Sequence, residues 1–177
     1  MVKVRKFAAY RALERPYTRF SKKKKYNFIR ARPVLRIAKF DIGNLQKQFS
    51  AAYYLTAKDA LQIRDIALES ARLSANRLLE KNVGKSGYRL KLLPYPHHVL
   101  RENPLASGAG ADRMSTGMTQ SFGKSIGRAA QIKIGQRIFK LEVDKQHAEF
   151  ARRALRRAAQ KLPCTYRVEE EMKGLKV

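Results

Sequence analysis

Positive charge is the feature that most constrains what this chain can fold into. Its 177 residues include 39 Lys and Arg but only 14 Asp and Glu, giving a net charge of +25 and an isoelectric point near 10.7. Self-repulsion on this scale opposes a compact state unless an anionic partner neutralises it. Nucleic acid is the partner that this charge favours, and an anionic membrane surface is the alternative.

The apolar content is nevertheless that of a globular protein. Hydrophobic residues make up 44% of the chain, and the length suits one domain with its own core. No apolar run approaches the roughly 20 residues that span a bilayer, and the basic N-terminus lacks the apolar stretch of a secretory signal. The single cysteine, Cys164, fits a reducing compartment, and its place beside a helix end predicts a small buried side chain.

Residues 1–33 form a basic arm, in which cations are interleaved with six aromatic residues and Glu14 is the only acid. The arm is either a solvated, disordered tail or an extended segment that becomes ordered on a polyanion, with its rings stacking on bases. The aromatic residues favour the second interpretation. The RNA-binding residues predicted in the arm are Arg5, Arg11, Arg15, Tyr17, Arg19, Lys22, Lys23, Lys24, Lys25, Arg30 and Arg32.

Hydrophobic periodicity predicts an α+β fold with two helices packed on a mainly antiparallel sheet. The predicted strands cover residues 34–40, 49–55, 88–92, 97–101, 129–134, 137–143 and 165–168, and the pair at 129–143 reads as a hairpin. These elements define one domain at residues 34–168. An acidic tail is expected at residues 169–177.

Two segments have apolar residues at helical spacing, residues 63–82 and 144–162, and the first is equally compatible with a start at Asp65. The predicted apolar stripe of the first helix comprises Ile63, Ile66, Ala67, Ala71, Ala75, Leu78 and Leu79. Cations are expected on the opposite, exposed faces. The RNA-binding residues predicted in the domain are Arg72, Arg77, Arg89, Lys91, Arg128, Arg152, Arg153, Arg156 and Arg157.

Residues 103–128 form a predicted long loop that contains five of the ten glycines and a single acid, Asp112. Compact domains seldom contain structureless loops longer than about 12–15 residues unless the loop is functional or disordered. The domain is therefore expected to hold this loop against a negatively charged partner.

Enzymatic chemistry is not supported by the motifs. The sequence Gly123-Lys124-Ser125 ends like a phosphate-binding P-loop, but the required glycine five residues earlier is Met118. His97 and His98 are adjacent and point to opposite faces of a strand, so they do not form a metal site. We therefore expect no enzyme activity, no cofactor and no metal.

Several motifs together resemble the universal large-subunit ribosomal protein sixteen family, in its archaeal and eukaryotic form. They lie at residues 15–18, 40–44, 67–103, 109–113, 116–118 and 122–127, and the resemblance extends over residues 10–168. It implies a hammerhead-type α+β fold and a non-enzymatic role in the cytoplasmic ribosome. Its implied partners are large-subunit rRNA, tRNA and neighbouring ribosomal proteins, without a membrane or a small-molecule substrate.

The same resemblance implies that the loop points towards tRNA near the peptidyl transferase centre. The residues concerned are Ser107, Gly108, Ala109, Gly110, Ala111, Asp112, Arg113 and Lys124. The alternative is a basic RNA-binding or chaperone-like factor that acts outside the ribosome.

Overall fold

Two antiparallel sheets and two helices make up the fold, seen in a computed structural model that describes residues 6–14, 16–17, 33–103 and 123–172. The helices are α1 (Asp65–Asn82) and α2 (Ala148–Ala159), and short 3-10 turns lie at Phe7–Tyr10 and Lys145–His147. The strands are β1 (Asp41–Gly43), β2 (Ala51–Ala57), β3 (Leu61–Arg64), β4 (Tyr88–Leu92), β5 (His98–Glu102), β6 (Lys124–Ile132), β7 (Arg137–Val143) and β8 (Tyr166–Met172).

The larger sheet has the order β1-β4-β7-β2-β8, and the smaller has the order β3-β6-β5. Every neighbouring pair of strands is antiparallel. The α+β prediction is therefore confirmed, although the strands form two sheets where one was expected.

The core lies between the larger sheet and the helices. Strand β4 alternates buried and solvent-facing residues, and its buried Leu90 lies directly opposite the buried Leu141 of β7. Leu68 of α1 and Leu155 of α2 belong to the same buried cluster. Burying each such side chain contributes about 1.5–3 kcal/mol, so this core holds the helices against the sheet.

Helix α1 begins at Asp65, the later of the two predicted starts, and its buried face differs from the predicted stripe. Ile63 lies on β3, and Ile66 is 49% exposed. The prediction is confirmed for Ala71, Ala75, Leu78 and Leu79, which are buried, and positions 65, 68 and 72, which it omitted, are buried with them. The buried face therefore includes Arg72, which was predicted to be exposed.

The predicted strand at residues 34–40 is wrong. That segment makes no ladder, and the strand is the following Asp41–Gly43, which pairs with β4. Gly43 has φ +97°, and a Cβ there would collide with the backbone carbonyl oxygen of Tyr88. The glycine therefore marks a close approach of two strands rather than the predicted turn.

The predicted hairpin at residues 129–143 is also wrong, because β6 and β7 belong to different sheets. The connecting turn is bonded to the end of β2: Gly135 N donates to Ala57 O at 2.9 Å, and Ala57 N donates to Gln136 O at 3.0 Å. Strand β6 also begins at Lys124, so residues 124–128, assigned to the loop, form part of the smaller sheet.

The C-terminal expectations need two further corrections. Strand β8 runs through residues 169–171, which were assigned to an acidic tail, and pairs with β2 along their length. Cys164 is exposed instead of buried, and it lies in a turn with a left-handed φ of 65°. The adjacent histidines do alternate as expected, with His98 buried and His97 exposed.

Candidate nucleic-acid interface

Helix α2 presents a continuous basic face, as its sequence pattern predicted. Ala151, Ala154, Leu155 and Ala158 are buried against the core. The intervening cations are all exposed: Arg152, Arg153, Arg156 and Arg157. A helix that packs through small residues holds its arginines at fixed spacing on a rigid support.

A basic groove runs between the two helices. It has a volume of about 470 Å³ and is lined by Arg77, Leu78, Lys81, Asn82, Arg153 and Arg157. We call these residues the helix groove. None of the lining side chains is acidic, and within the described ranges no ion pair is formed by any of its four cations. The groove therefore concentrates positive charge that an anionic partner can neutralise.

Arg152 differs from its neighbours because a carboxylate of β8 holds it. Its Nη2 donates to Glu170 Oε2 at 2.6 Å, while Tyr53 Oη donates to Glu170 Oε1 at 2.8 Å. The hydrogen bonds from Arg152 and then Tyr53 lower the pKa of Glu170. Burial, followed by the bond to Glu170, raises the pKa of Tyr53 to about 12. Of the four predicted arginines of α2, Arg152 is thus already paired with a carboxylate of the protein.

Arg72 was predicted on the exposed face of α1, and this placement is wrong. The residue is 6% exposed, and its guanidinium makes two hydrogen bonds to the Glu69 carboxylate. The bond from Arg72 is the main cause that lowers the pKa of Glu69. By contrast, Arg77 on the same helix is exposed and lines the helix groove.

Arg89 and Lys91 lie on the face of β4 that points away from the core. Arg89 donates to both oxygens of Asp41, at 3.2 and 2.7 Å, and its Nη1 is 3.8 Å from Glu142. The hydrogen bond to Asp41 raises the pKa of Arg89. Lys91 is exposed on the same face. Only Lys91 of this predicted pair is therefore available without breaking an internal ion pair.

The first part of the arm is docked on the smaller sheet, and sequence reasoning missed the residues that hold it. Gln62 Nε2 donates to the carbonyl oxygens of Tyr10 and Ala12, and Gln131 Nε2 donates to that of Glu14 at 2.6 Å. Tyr17 N donates to His98 Nδ1 at 2.8 Å. We call Gln62, Gln131 and His98 the arm seat. No sequence motif signals them, because their partners are backbone atoms.

Tyr17 itself is held from three sides. Val99 N donates to its carbonyl oxygen at 3.3 Å, and the guanidinium of Arg101 lies 4.0 Å from the centre of its ring. Arg11, also predicted to bind RNA, is exposed beside the seat. The remaining arm residues predicted to bind RNA lie outside the described part of the chain: Arg5, Arg15, Arg19, Lys22, Lys23, Lys24, Lys25, Arg30 and Arg32.

The ends of the long loop leave the smaller sheet. Residues 104–122, which include the predicted positions 107–113, lie outside the described ranges. Lys124 is exposed at the start of β6, opposite Glu102, and Arg128 Nη1 donates to Tyr95 Oη at 3.3 Å. The sheet thus fixes both points from which the loop departs.

Other kinds of site find no support in the described residues. They contain no group of three or more His, Cys, Asp or Glu side chains that could hold a metal ion, and no helix among them is long and apolar enough to cross a membrane. Gly123-Lys124-Ser125 leads into a strand, whereas a P-loop glycine motif must lead into a helix whose N-terminus faces the phosphates.

Comparison with known proteins gives matches that extend over most of the chain. The family model described as ribosomal protein L16p/L10e matches residues 15–169. The large ribosomal subunit protein uL16 of Archaeoglobus fulgidus is 46% identical over 162 residues, covering 92% of this chain and 90% of that protein. The uL16 protein of Methanocella arvoryzae is 50% identical over 139 residues, covering 78% of this chain and 81% of that protein. The uL16 protein of Staphylothermus marinus is 45% identical over 153 residues, covering 86% of this chain and 84% of that protein.

Proposed function

The chain belongs to the ribosomal protein L16p/L10e family, and from this premise we propose that it is a non-enzymatic constituent of the cytoplasmic large ribosomal subunit. Within that ribonucleoprotein it binds large-subunit rRNA and contacts neighbouring ribosomal proteins. The family resemblance expected from the motifs is confirmed by the comparisons, which do not by themselves identify the RNA-binding residues.

The helix groove is the observation that carries the proposal of rRNA binding. Its four cations, Arg77, Lys81, Arg153 and Arg157, face one concave surface without an acidic neighbour in the lining. Phosphate contacts of this kind dominate the affinity of proteins for nucleic acid, and each one releases counterions. The groove supplies the fixed part of the interface, and the arm and Arg156 extend it.

We further propose that the chain lies near the peptidyl transferase centre and that the loop helps to position aminoacyl-tRNA. The position of the loop in the fold supports this proposal, because its two ends continue strands β5 and β6, which pair with each other in the smaller sheet. A long, glycine-rich segment held at two neighbouring points can approach an RNA backbone closely without being needed for the core.

Sedimentation tests the ribosomal assignment. A tagged copy of the chain, expressed in its own host, is expected to sediment with large subunits at moderate salt, in a 1:1 ratio with other large-subunit proteins. A substoichiometric or free distribution would instead support the alternative, a basic RNA-binding or chaperone-like factor outside the ribosome. The Arg153→Gln/Arg157→Gln variant should be enriched in the free fraction.

Deletion of residues 107–116 tests the role of the loop. The shortened chain is expected to keep its thermal unfolding midpoint and its rRNA affinity, while subunits that contain it translate more slowly and bind aminoacyl-tRNA more weakly. A variant with the same residues replaced by an equally long Gly-Ser segment separates loop chemistry from loop length. Unfolding of the deleted chain would mean that the loop belongs to the core.

A further inference from the structure

A mainly apolar cleft opens between the docked arm and the smaller sheet. Its volume is about 330 Å³, and its walls are Leu13 and Pro16 on one side and Tyr95 and His97 on the other. The last residue of β6, Ile132, and the following Lys133 complete the lining, together with His98 and Gln131. We call this space the aromatic cleft. It is separate from the helix groove, with which it shares no residue.

The arm seat gives the cleft a fixed wall. Gln131 binds the carbonyl oxygen of Glu14, and His98 accepts the amide hydrogen of Tyr17, so the backbone is held on both sides of Pro16. His98 is only 6% exposed. A hydrogen-bonded segment between two such anchors loses little further entropy when a ligand binds against it.

The opposite wall is a supported aromatic surface. Tyr95 is 42% exposed, yet its ring stacks on Phe40 with the centroids 5.5 Å apart and lies 4.5 Å from the ring of His97. Its hydroxyl accepts a hydrogen bond from Arg128. An exposed ring held in this way presents a fixed stacking surface, which is how proteins bind splayed RNA bases.

The cations beside the cleft favour a flat ligand that also carries negative charge. Lys133 is exposed at its rim and Arg128 lies beside Tyr95, while the lining contains no acidic side chain and Glu14 of the arm is the acid whose charge acts on His98. A nucleotide combines the required properties, because its base is flat and its phosphate is negative. An apolar side chain of a neighbouring protein would leave Lys133 and Arg128 without a negatively charged group from the ligand.

We propose that the aromatic cleft binds one unstacked base of single-stranded rRNA, with the base against Tyr95 and the adjoining phosphate near Lys133. This inference rests on the proposed rRNA binding and adds a base-contacting site to the phosphate-binding groove. The docked arm is then part of a binding site as well as a source of charge.

Photo-crosslinking of the full chain tests the proposal. The probe is a single-stranded RNA 12-mer that contains 4-thiouridine, and the labelled peptides are mapped by mass spectrometry. Labelling is expected within residues 13–16 or 95–98. Tyr95→Ala should remove it and weaken RNA binding about tenfold, within the range for one stacked base.

Two further variants distinguish loss of the stacking surface from loss of the folded structure. Tyr95→Phe retains the ring and is expected to retain labelling, while Leu13→Ser, in the opposite wall, should reduce it. The control Ile134→Ala, at a site that is 72% exposed and outside the cleft, should behave as wild type.

The outcomes separate the two proposals. If the wild type binds the RNA but labels only other regions, and Tyr95→Ala binds as tightly as wild type, the cleft is not a base site and rRNA binding still stands. If Tyr95→Ala only weakens association with other ribosomal proteins, the occupant is a protein side chain and the inference is overturned. If the wild type fails to bind any RNA, the proposed function itself fails.

Discussion

Individual arginines of this protein differ in whether a carboxylate already holds them. Arg72 is bound to Glu69, Arg89 to Asp41 and Arg152 to Glu170. Arg77 and Arg153 line the helix groove without such a partner among the described residues. Since a guanidinium that leaves a carboxylate must give up that bond to reach a phosphate, the second group is better suited to bind RNA.

Substituting the two arginines of α1 should separate stability from RNA affinity. Arg72→Ala leaves the largely buried Glu69 carboxylate with only the long hydrogen bond from Ala38 N, so we expect a loss of about 3 kcal/mol in the free energy of unfolding. Arg77→Ala should change stability by less than about 0.5 kcal/mol and weaken rRNA binding. Urea denaturation and filter binding measure the two effects. Equal losses of RNA affinity in both folded variants would contradict this division.

The penalty of Arg72→Ala should also depend on pH. Arg72 lowers the pKa of Glu69 in the folded state, so the pair stabilises the wild type fully above the pKa of an unfolded glutamate. This contribution is lost as the pH falls through the lower, folded pKa. The stability difference between wild type and variant is therefore expected to shrink below about pH 4, as measured by denaturation across an acid series.

Among the structural elements, both helices and most strands were predicted from their local patterns, whereas the short strands β1 and β3 and the pairing of the strands were not. Strand β4 alternates apolar and basic residues, and α2 has a clear apolar face, so both elements could be predicted from the sequence. The strand at residues 41–43 was missed because its position depends on pairing with β4 across more than 40 residues. Local periodicity also cannot show that β6 and β7 enter different sheets.

The candidate site was likewise predictable only where its residues follow a local pattern. Helical spacing identified the exposed arginines of α2, but the groove requires the packing of α2 on α1. The pairing of Arg72 had a local signal, since Glu69 precedes it by three residues, a spacing that brings the two side chains together. The arm seat had none, because the side chains of Gln62, Gln131 and His98 bind main-chain groups of the arm, which any residue type supplies.

Gly43 offers a test of the contact between β1 and β4. Gly43→Ala forces alanine into a left-handed backbone conformation and also places its Cβ against the carbonyl oxygen of Tyr88, so β1 must move away from β4. Gly84→Ala is the matched control, with φ +81° and nothing within 4 Å of its Cβ. We expect the control to lose about 1–2 kcal/mol and Gly43→Ala to lose at least twice as much in urea denaturation. Similar losses would show that the strands can separate without cost.

At the scale of the whole molecule, acidic residues of β8 pair with neighbouring cations, whereas none lies in the lining of the helix groove. Glu170 and Glu171 of β8 lie 2.6 and 3.6 Å from the guanidinium nitrogens of Arg152 and Arg137. Strand β8 is at one edge of the larger sheet. The helix groove has no such acids in its lining. Among the described residues, the unpaired cations of the helix groove thus favour an orientation that turns the groove towards RNA.

Two charge-matched double variants test this orientation, because each removes two positive charges. In the groove, Arg153→Gln/Arg157→Gln should reduce the steepness of log K against log salt by about 0.7–0.9 per lost phosphate contact, or roughly twice that in total. Beside β8, Arg137→Gln/Arg152→Gln removes cations that glutamates already hold, so the slope should stay close to that of the wild type. Titration of an rRNA fragment between about 50 and 200 mM salt measures both slopes. If the two variants show the same slope, net charge governs binding and the helix groove has no special part in it.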